Sequence, residues 1–157
     1  MLKYTDTQIV FREFPGEVTL AINLSCCPNH CPGCHSPELQ EDIGEELTWE
    51  VLQDLIKKNP GITCVGFMGG DNDPGTIKYL AYRLATETNL KTGWYAGKGH
   101  REAMKMMNFV KLGQWNENYG PLNDPRTNQI YLVHQPNGDW RDCTDKFWKG
   151  DKKKTEK

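Results

Sequence analysis

The sequence has no apolar run approaching the roughly 18 residues that a membrane-spanning helix requires. Residues 1–6 lack the apolar core of a secretory signal peptide, and the net charge of the chain is only −2. No basic stretch is interleaved with aromatic residues in the way that nucleic-acid binding favours. These absences lead us to expect a cytoplasmic protein that engages neither membranes nor nucleic acids.

The sequence also has too few residues for a complete βα barrel, and it shows no evident dyad or triad of acid–base side chains. At 157 residues it is long enough for one domain with a real core, whereas an eight-unit barrel typically needs about 250. We expect a single domain over residues 1–145. Residues 146–157 contain six lysines and are expected to form a disordered tail.

What the chain does have is three cysteines within eight residues, Cys27, Cys31 and Cys34, in the spacing C-x3-C-x2-C. Thiolates select iron–sulfur clusters, zinc or Cu(I) over magnesium and calcium. Structural zinc sites are closed by four ligands, and electron-carrying 4Fe–4S clusters also take four cysteines. Three thiolates leave one iron of a cubane without a protein ligand, so the spacing indicates a cluster that binds something other than protein.

The other three cysteines fit this pattern less well. Cys26 adjoins the first ligand but gives no recognisable spacing, and we interpret it as a bystander. Cys64 lies in an apolar run and is expected to be a buried small hydrophobe. Cys143 has no neighbouring cysteine.

Apolar periodicity predicts alternating strands and helices. The predicted strands cover residues 8–13, 17–24, 62–68, 90–95 and 108–112. The predicted helices cover 47–58, with Thr48 as N-cap, then 77–86 and 100–107. Alternation of this kind predicts βαβ units and a parallel sheet, in which ligands bind at the C-terminal ends of the strands. Both the cysteine segment and Gly69-Gly70-Asp71 directly follow predicted strands, so we expect them at that edge.

The segment 27–39, C-P-N-H-C-P-G-C-H-S-P-E-L, resembles the cluster loop of the radical S-adenosylmethionine superfamily. Within it, the segment looks most like the activating proteins of anaerobic (class III) ribonucleotide reductase. Phe67-Met68-Gly69-Gly70-Asp71 is similar to the superfamily's Gly-Gly-Asp/Glu motif at the end of an early barrel strand. Weaker similarity lies in residues 94–97, 111–113, 120–122 and 127–129, and the resemblance covers roughly residues 5 to 135.

This resemblance implies a fold and a set of cofactors. The fold would be α/β, a partial βα barrel of the radical-SAM type with a mostly parallel sheet. The implied cofactors are a 4Fe–4S cluster and S-adenosylmethionine, whose amino and carboxylate groups bind the open iron. The implied cluster ligands are Cys27, Cys31 and Cys34, and the implied residues around the nucleoside and methionine are Gly33, His35, Gly69, Gly70 and Asp71.

The resemblance also implies an activity. One electron from the cluster would cleave S-adenosylmethionine to methionine and a 5′-deoxyadenosyl radical, which abstracts hydrogen from a glycine Cα. We expect the glycine to belong to the large subunit of an anaerobic ribonucleotide reductase, because the open flank of a partial barrel suits an inserted protein loop. A flavodoxin-type protein is the expected electron donor.

Two alternatives stay open. One is a radical-SAM enzyme acting on a small molecule, similar to the 7-carboxy-7-deazaguanine synthases. The other is a non-catalytic iron–sulfur or zinc module, in which His30 or His35 completes the ligand set.

Overall fold

The computed structural model describes residues 2–25, 44–113 and 129–147. Five of the predicted site residues lie outside these ranges, namely Cys27, Cys31, Gly33, Cys34 and His35. So do the segment 114–128 and residues 148–157 of the expected tail. Every statement below refers to the described residues.

These residues form eight strands and three α-helices. The strands are β1 (Lys3–Val10), β2 (Thr19–Leu24), β3 (Glu45–Glu46), β4 (Cys64–Met68), β5 (Lys91–Tyr95), β6 (Phe109–Leu112), β7 (Ile130–His134) and β8 (Trp140–Asp142). The helices are α1 (Trp49–Lys58), α2 (Pro74–Glu87) and α3 (Arg101–Met104). A 3₁₀ helix, Thr144–Phe147, runs two residues past the expected domain end at 145. None of the helices in the described ranges is long and apolar enough to cross a membrane.

All strands belong to one mixed sheet with the order β3-β1-β2-β4-β5-β6-β7-β8. Strands β2, β4, β5 and β6 are parallel neighbours in chain order. The flanking pairs, β1 with β2 and β3, and β7 with β6 and β8, are antiparallel. The α/β class is therefore confirmed, but the sheet is parallel only in its centre. Among the described residues it is open, with β3 and β8 as its two ends.

The two longer helices begin where a side chain caps them. Thr48 Oγ1 accepts a hydrogen bond from Val51 N (3.2 Å) at the start of α1, as predicted. Asp73 Oδ1 accepts one from Thr76 N (3.2 Å) at the start of α2, and a proline occupies the first turn. The predicted start at residue 77 was wrong because this cap and the proline were overlooked.

Side chains of a strand alternate between two faces, and the two faces of this sheet are covered differently. All three α-helices pack on the first face. Its buried strand residues are Leu20, Ile22, Leu24, Val65, Phe67, Trp94 and Val110, and the helices contribute Leu52, Ile77, Leu80, Leu84 and Ala103. This face forms the main core of the protein.

The second face carries a smaller aromatic cluster formed by Phe14, Phe109 and Tyr131 together with Cys64 and Cys143. Phe14 comes from the loop between β1 and β2. A Cβ on residue 93 would lie 2.4 Å from the Phe14 ring, and one on residue 66 would lie 2.6 Å from it. Glycine at both positions therefore lets the ring lie flat against β4 and β5.

Candidate functional site

The candidate site lies at the ends of β2, β4, β5 and β6, which we call the C-terminal edge. The parallel register pairs Asn23 with Met68, so β2 and β4 end side by side. The buried Ser25 follows β2, and its N–H donates to the Lys3 carbonyl (2.9 Å). The segment that contains the three clustered cysteines therefore begins at the edge where the Gly-Gly-Asp turn lies, as the sequence predicted.

Two consecutive glycines turn the chain sharply after β4. Gly69 and Gly70 have φ values of +104° and +97°, which L side chains rarely adopt. A Cβ on Gly70 would lie 2.8 Å from Ile77 Cδ1 and 2.9 Å from Leu24 Cδ1. The turn thus brings the backbone against β2 and α2 more closely than any other residue would allow.

Main-chain groups of this turn are bound to β5. Gly69 N donates to the Tyr95 carbonyl (2.9 Å), and the Gly69 carbonyl accepts from Trp94 Nε1 (2.6 Å). Trp94 is fully buried, and the sequence had suggested only a packing role for it. Its indole N–H is a polar contact that spacing alone does not reveal.

Asp71 connects the turn after β4 to the turn after β5. Its Oδ2 accepts hydrogen bonds from Gly97 N (2.9 Å) and Lys98 N (3.2 Å), and its Oδ1 accepts one from Gly99 N (3.3 Å). The Gly97 carbonyl in turn accepts from Gly113 N (2.9 Å) after β6. Hydrogen bonds therefore link the ends of three neighbouring strands.

Tyr95 and Lys111 are paired in register on the second face and mark its end at the C-terminal edge. Lys111 Nζ lies 5.2 Å from the centre of the Tyr95 ring and donates to the Gly113 carbonyl (3.3 Å). The Tyr95 hydroxyl donates to the Glu13 carbonyl (2.6 Å), and burial raises the pKa of this phenol well above its usual value. A half-buried ammonium group therefore stands over an aromatic floor.

Lys111 belongs to one of the weakly similar segments, 111–113, but the sequence did not indicate it as a site residue. The signal was its position in a short strand, Phe109–Leu112, whose other residues are apolar. Gln129 also belongs to a weakly similar segment, 127–129, and was not predicted as a site residue. Its Nε2 donates to the Gly113 carbonyl (3.4 Å). The antiparallel return of β7 to the end of β6 brings Gln129 there, and the sequence did not predict β7.

The cysteines in the described ranges are unsuited to binding a metal. Cys64 and Cys143 are buried free thiols, and burial raises the pKa of Cys64 to about 12. The prediction that Cys64 is a buried small hydrophobe is confirmed. Across residues 2–25, 44–113 and 129–147, no group of three or more His, Cys, Asp or Glu side chains is placed to hold a metal.

The structure thus brings Gly69, Gly70 and Asp71 together, while the other predicted site residues lie outside the described ranges. Comparison of the chain with models of protein families, with curated proteins and with solved structures finds no match. The segment with three soft thiolate donors begins at an edge lined by close glycine turns, and a cationic side chain stands at the same edge.

Proposed function

We propose that the chain is a radical S-adenosylmethionine activase that installs a glycyl radical on the large subunit of an anaerobic ribonucleotide reductase. One observation carries the proposal. β2, which precedes the three-cysteine segment in the chain, and β4, which precedes the Gly-Gly-Asp turn, are neighbouring parallel strands that end at the same edge, although the two motifs are 35 or more residues apart in sequence. Ligands of parallel α/β sheets bind at this edge.

The partial barrel is part of the same proposal. Four parallel strands follow one another in chain order, and the helices between them lie on one face. Successive βα units of a barrel have this arrangement. The antiparallel strands on both sides stand where further barrel units would be, and across the described residues the sheet does not close on itself. An open flank suits a macromolecular substrate whose glycine loop must reach the cofactor.

In this proposal Cys27, Cys31 and Cys34 hold a 4Fe–4S cluster with one iron open to a ligand. When bound, the cluster supplies the electron that cleaves the carbon–sulfur bond of S-adenosylmethionine to give methionine and the 5′-deoxyadenosyl radical. Gly33 would let the loop backbone approach the ligand, and His35 would lie beside the nucleoside. No acid–base side chain is needed for these steps.

The described residues would bind and shield the same ligand. The Gly69-Gly70 turn would border the methionine portion, because it follows β4, whose end lies beside the end of β2. Phe14 and Tyr95, in edge-to-face contact at 5.1 Å, form an apolar floor that keeps water from the reacting atoms.

The first experiment is an anaerobic assay of the protein reconstituted with iron and sulfide and reduced with dithionite. After S-adenosylmethionine is added, we expect 5′-deoxyadenosine from the wild type and from Cys64→Ala, a control for cysteine loss outside the motif. Cys31→Ala is expected to give none. Stoichiometric zinc in place of a cluster, with no product from the wild type, would show a binding module instead.

The second experiment identifies the substrate. The reductase large subunit is prepared with deuterium at its glycine Cα positions and mixed with the reduced activase and S-adenosylmethionine. We expect deuterium in the 5′-deoxyadenosine and a glycyl radical signal in electron paramagnetic resonance. Formation of 5′-deoxyadenosine without deuterium transfer would favour an enzyme that acts on a small molecule.

A further inference from the structure

The turn at residues 97–99 is built around a carboxylate that comes from another strand. Three consecutive N–H groups, of Gly97, Lys98 and Gly99, converge on Asp71 at 2.9, 3.2 and 3.3 Å. Successive N–H groups of this kind form a concave anion site, or nest. Gly99 has a φ of +75°, which a nest commonly requires. The Asp71 carboxylate is therefore the anion of a nest made by the turn after β5.

This arrangement makes the shape of the turn depend on Asp71. The two glycines impose little conformational preference of their own, and three N–H groups without an acceptor would repel one another. The 97–99 turn also contacts the end of β6. The Gly97 carbonyl accepts from Gly113 N, and a Cβ on Gly99 would lie 2.6 Å from Leu112 Cδ2. Displacing the turn would disturb the end of β6 as well.

Strand spacing indicates which part of a ligand the turn borders. Neighbouring strands lie about 4.8 Å apart, so the end of β5 is roughly 10 Å from the end of β2, where the cysteine segment begins. A ligand whose amino acid group sits at the cluster would extend its sulfur-linked nucleoside toward β5. In that arrangement the 97–99 turn would lie beside the nucleoside end, away from the ammonium.

We propose that Asp71 is a positioning residue, which holds the 97–99 turn in the conformation that receives the sulfur-linked nucleoside of the ligand. It acts through the turn and does not itself bind the methionine ammonium. This inference rests on the proposed function for the identity of the ligand. The hydrogen bonds from the 97–99 turn to Asp71, which we call the clamp, do not depend on the proposed function. They can be tested on the protein without cofactors.

The first test measures amide hydrogen exchange in Asp71→Asn, with Asp73→Asn as the matched control. Asparagine at 71 replaces one acceptor oxygen with an NH₂ group facing N–H donors, so we expect the amides of 97–99 to exchange at least about tenfold faster. Asparagine at 73 still caps α2, and exchange at 97–99 should equal that of the wild type. Unchanged protection of 97–99 in Asp71→Asn would overturn the clamp.

The second test compares two ligands on the cluster-loaded protein by equilibrium dialysis. S-adenosylmethionine carries the ammonium, whereas 5′-methylthioadenosine has the nucleoside and sulfur but no amino acid group. We expect Asp71→Asn to weaken both by a similar factor, about tenfold, and Asp71→Glu, which keeps the carboxylate, to recover part of the loss for both.

Weakening of S-adenosylmethionine alone would show a direct contact with the ammonium and overturn the inference. If Asp71→Asn does not fold, Asp71→Glu serves in its place, since a longer arm displaces the turn and should still weaken both ligands together. A wild type that binds neither ligand would refute the proposed function, and the exchange experiment would then decide the clamp by itself.

Discussion

The two ends of the same parallel strands are built from different contacts. At the N-terminal edge, side chains join the strands: the exposed Thr63 donates through Oγ1 to Glu17 Oε1 (2.8 Å), and Nζ of the exposed Lys91 lies 3.1 Å from Oε2 of Glu17, whose side chain is only 11% exposed. At the C-terminal edge, backbone groups are bound by two shielded side chains, the Trp94 indole and the Asp71 carboxylate. Water can replace the first kind of contact but reaches the second kind less easily.

This difference predicts that the two edges of the sheet differ in how well they tolerate substitutions. Exposed polar contacts contribute little to the free energy of unfolding, because water competes for the same groups. Close glycine turns leave no space for a side chain, and they bring main-chain groups to the surface of the C-terminal edge. The N-terminal edge should therefore accept substitutions that the C-terminal edge rejects.

The largest effect on stability should come from Gly70→Ala at the C-terminal edge. The new methyl group would lie under 3 Å from side-chain atoms of Ile77 and Leu24, and φ is +97°. We expect a loss of about 3 kcal/mol from overpacking and backbone strain together. Urea unfolding followed by circular dichroism measures it.

Gly61→Ala is the matched control for that substitution. Gly61 precedes β4 at the N-terminal edge with a φ of +94°, but a Cβ there would meet nothing within 4 Å. Only the backbone cost remains, about 1 kcal/mol. Equal losses in the two variants would contradict the packing argument.

The next effect is expected for Trp94→Phe, which removes the N–H donor to the Gly69 carbonyl and leaves a small void. A buried acceptor without its partner and the lost ring volume should cost about 2 kcal/mol. Thr63→Val at the opposite edge also removes a hydroxyl that accepts from a main-chain N–H, but that group is exposed, so less than about 1 kcal/mol should be lost. Thermal unfolding of both variants tests the difference between the edges.

A third prediction concerns alkaline pH. Burial raises the pKa of the Cys64 thiol from 9.0 to about 12, so between these values the unfolded chain loses a proton that the folded protein keeps. The free energy of unfolding should then fall as pH rises above 9, by about 1.4 kcal/mol per pH unit for this thiol. Below pH 9 its contribution should be constant.

The variant that tests this is Cys64→Val, which should flatten the slope of unfolding free energy between pH 9 and 10. Burial also raises the pKa values of Tyr95 and Tyr131, and their unfolded forms titrate at about pH 10, so the lower half of the range isolates the thiol. The same slope in both proteins would show that Cys64 ionises freely.

The smallest effect on stability is expected for Lys91→Met, which breaks the pair with Glu17 on its exposed, lysine side. The loss should be below about 1 kcal/mol and should disappear at high salt. On the second face of β6, at the C-terminal edge, Lys111→Met removes a half-buried ammonium that donates to the Gly113 carbonyl and lies over the Tyr95 ring, so the loss should be larger, about 1.5 kcal/mol, and should persist at high salt. Urea unfolding of both variants at low and high salt gives the comparison, and equal losses would show that the contacts of the Lys111 ammonium add no stability.

Strand and helix periodicity predicted much of the central fold, because apolar alternation records which side of an element is buried. It predicted β2, β4, β5 and β6 and the helices between them to within a few residues. It failed where burial is slight. β1 (Lys3–Val10) is half-exposed along its length and was predicted five residues too late, and the short strands β3, β7 and β8 carry too few buried residues to show a period.

The candidate site divides in the same way. The sequence alone shows the spacing of Cys27, Cys31 and Cys34 and the Gly-Gly-Asp tripeptide, because the residues of each motif are close together along the chain. The sequence does not show the partners of Asp71, since its acceptor oxygens face N–H groups 26 to 28 residues away. The sequence shows that Lys111 and Tyr95 are present, but only the register of β5 and β6 places the Lys111 ammonium over the Tyr95 ring.

By itself, the sequence determined the α/β class, the order of the central elements and the edge at which the cysteine segment begins. Local propensity and periodic burial act over short stretches of chain, so they can be read directly. The tertiary structure alone decided that the sheet is mixed and open, that Phe14 covers the second face, and that Asp71 binds the turn after β5. Those outcomes depend on which distant segments can pack together without clashing, and that is a property of the whole folded chain.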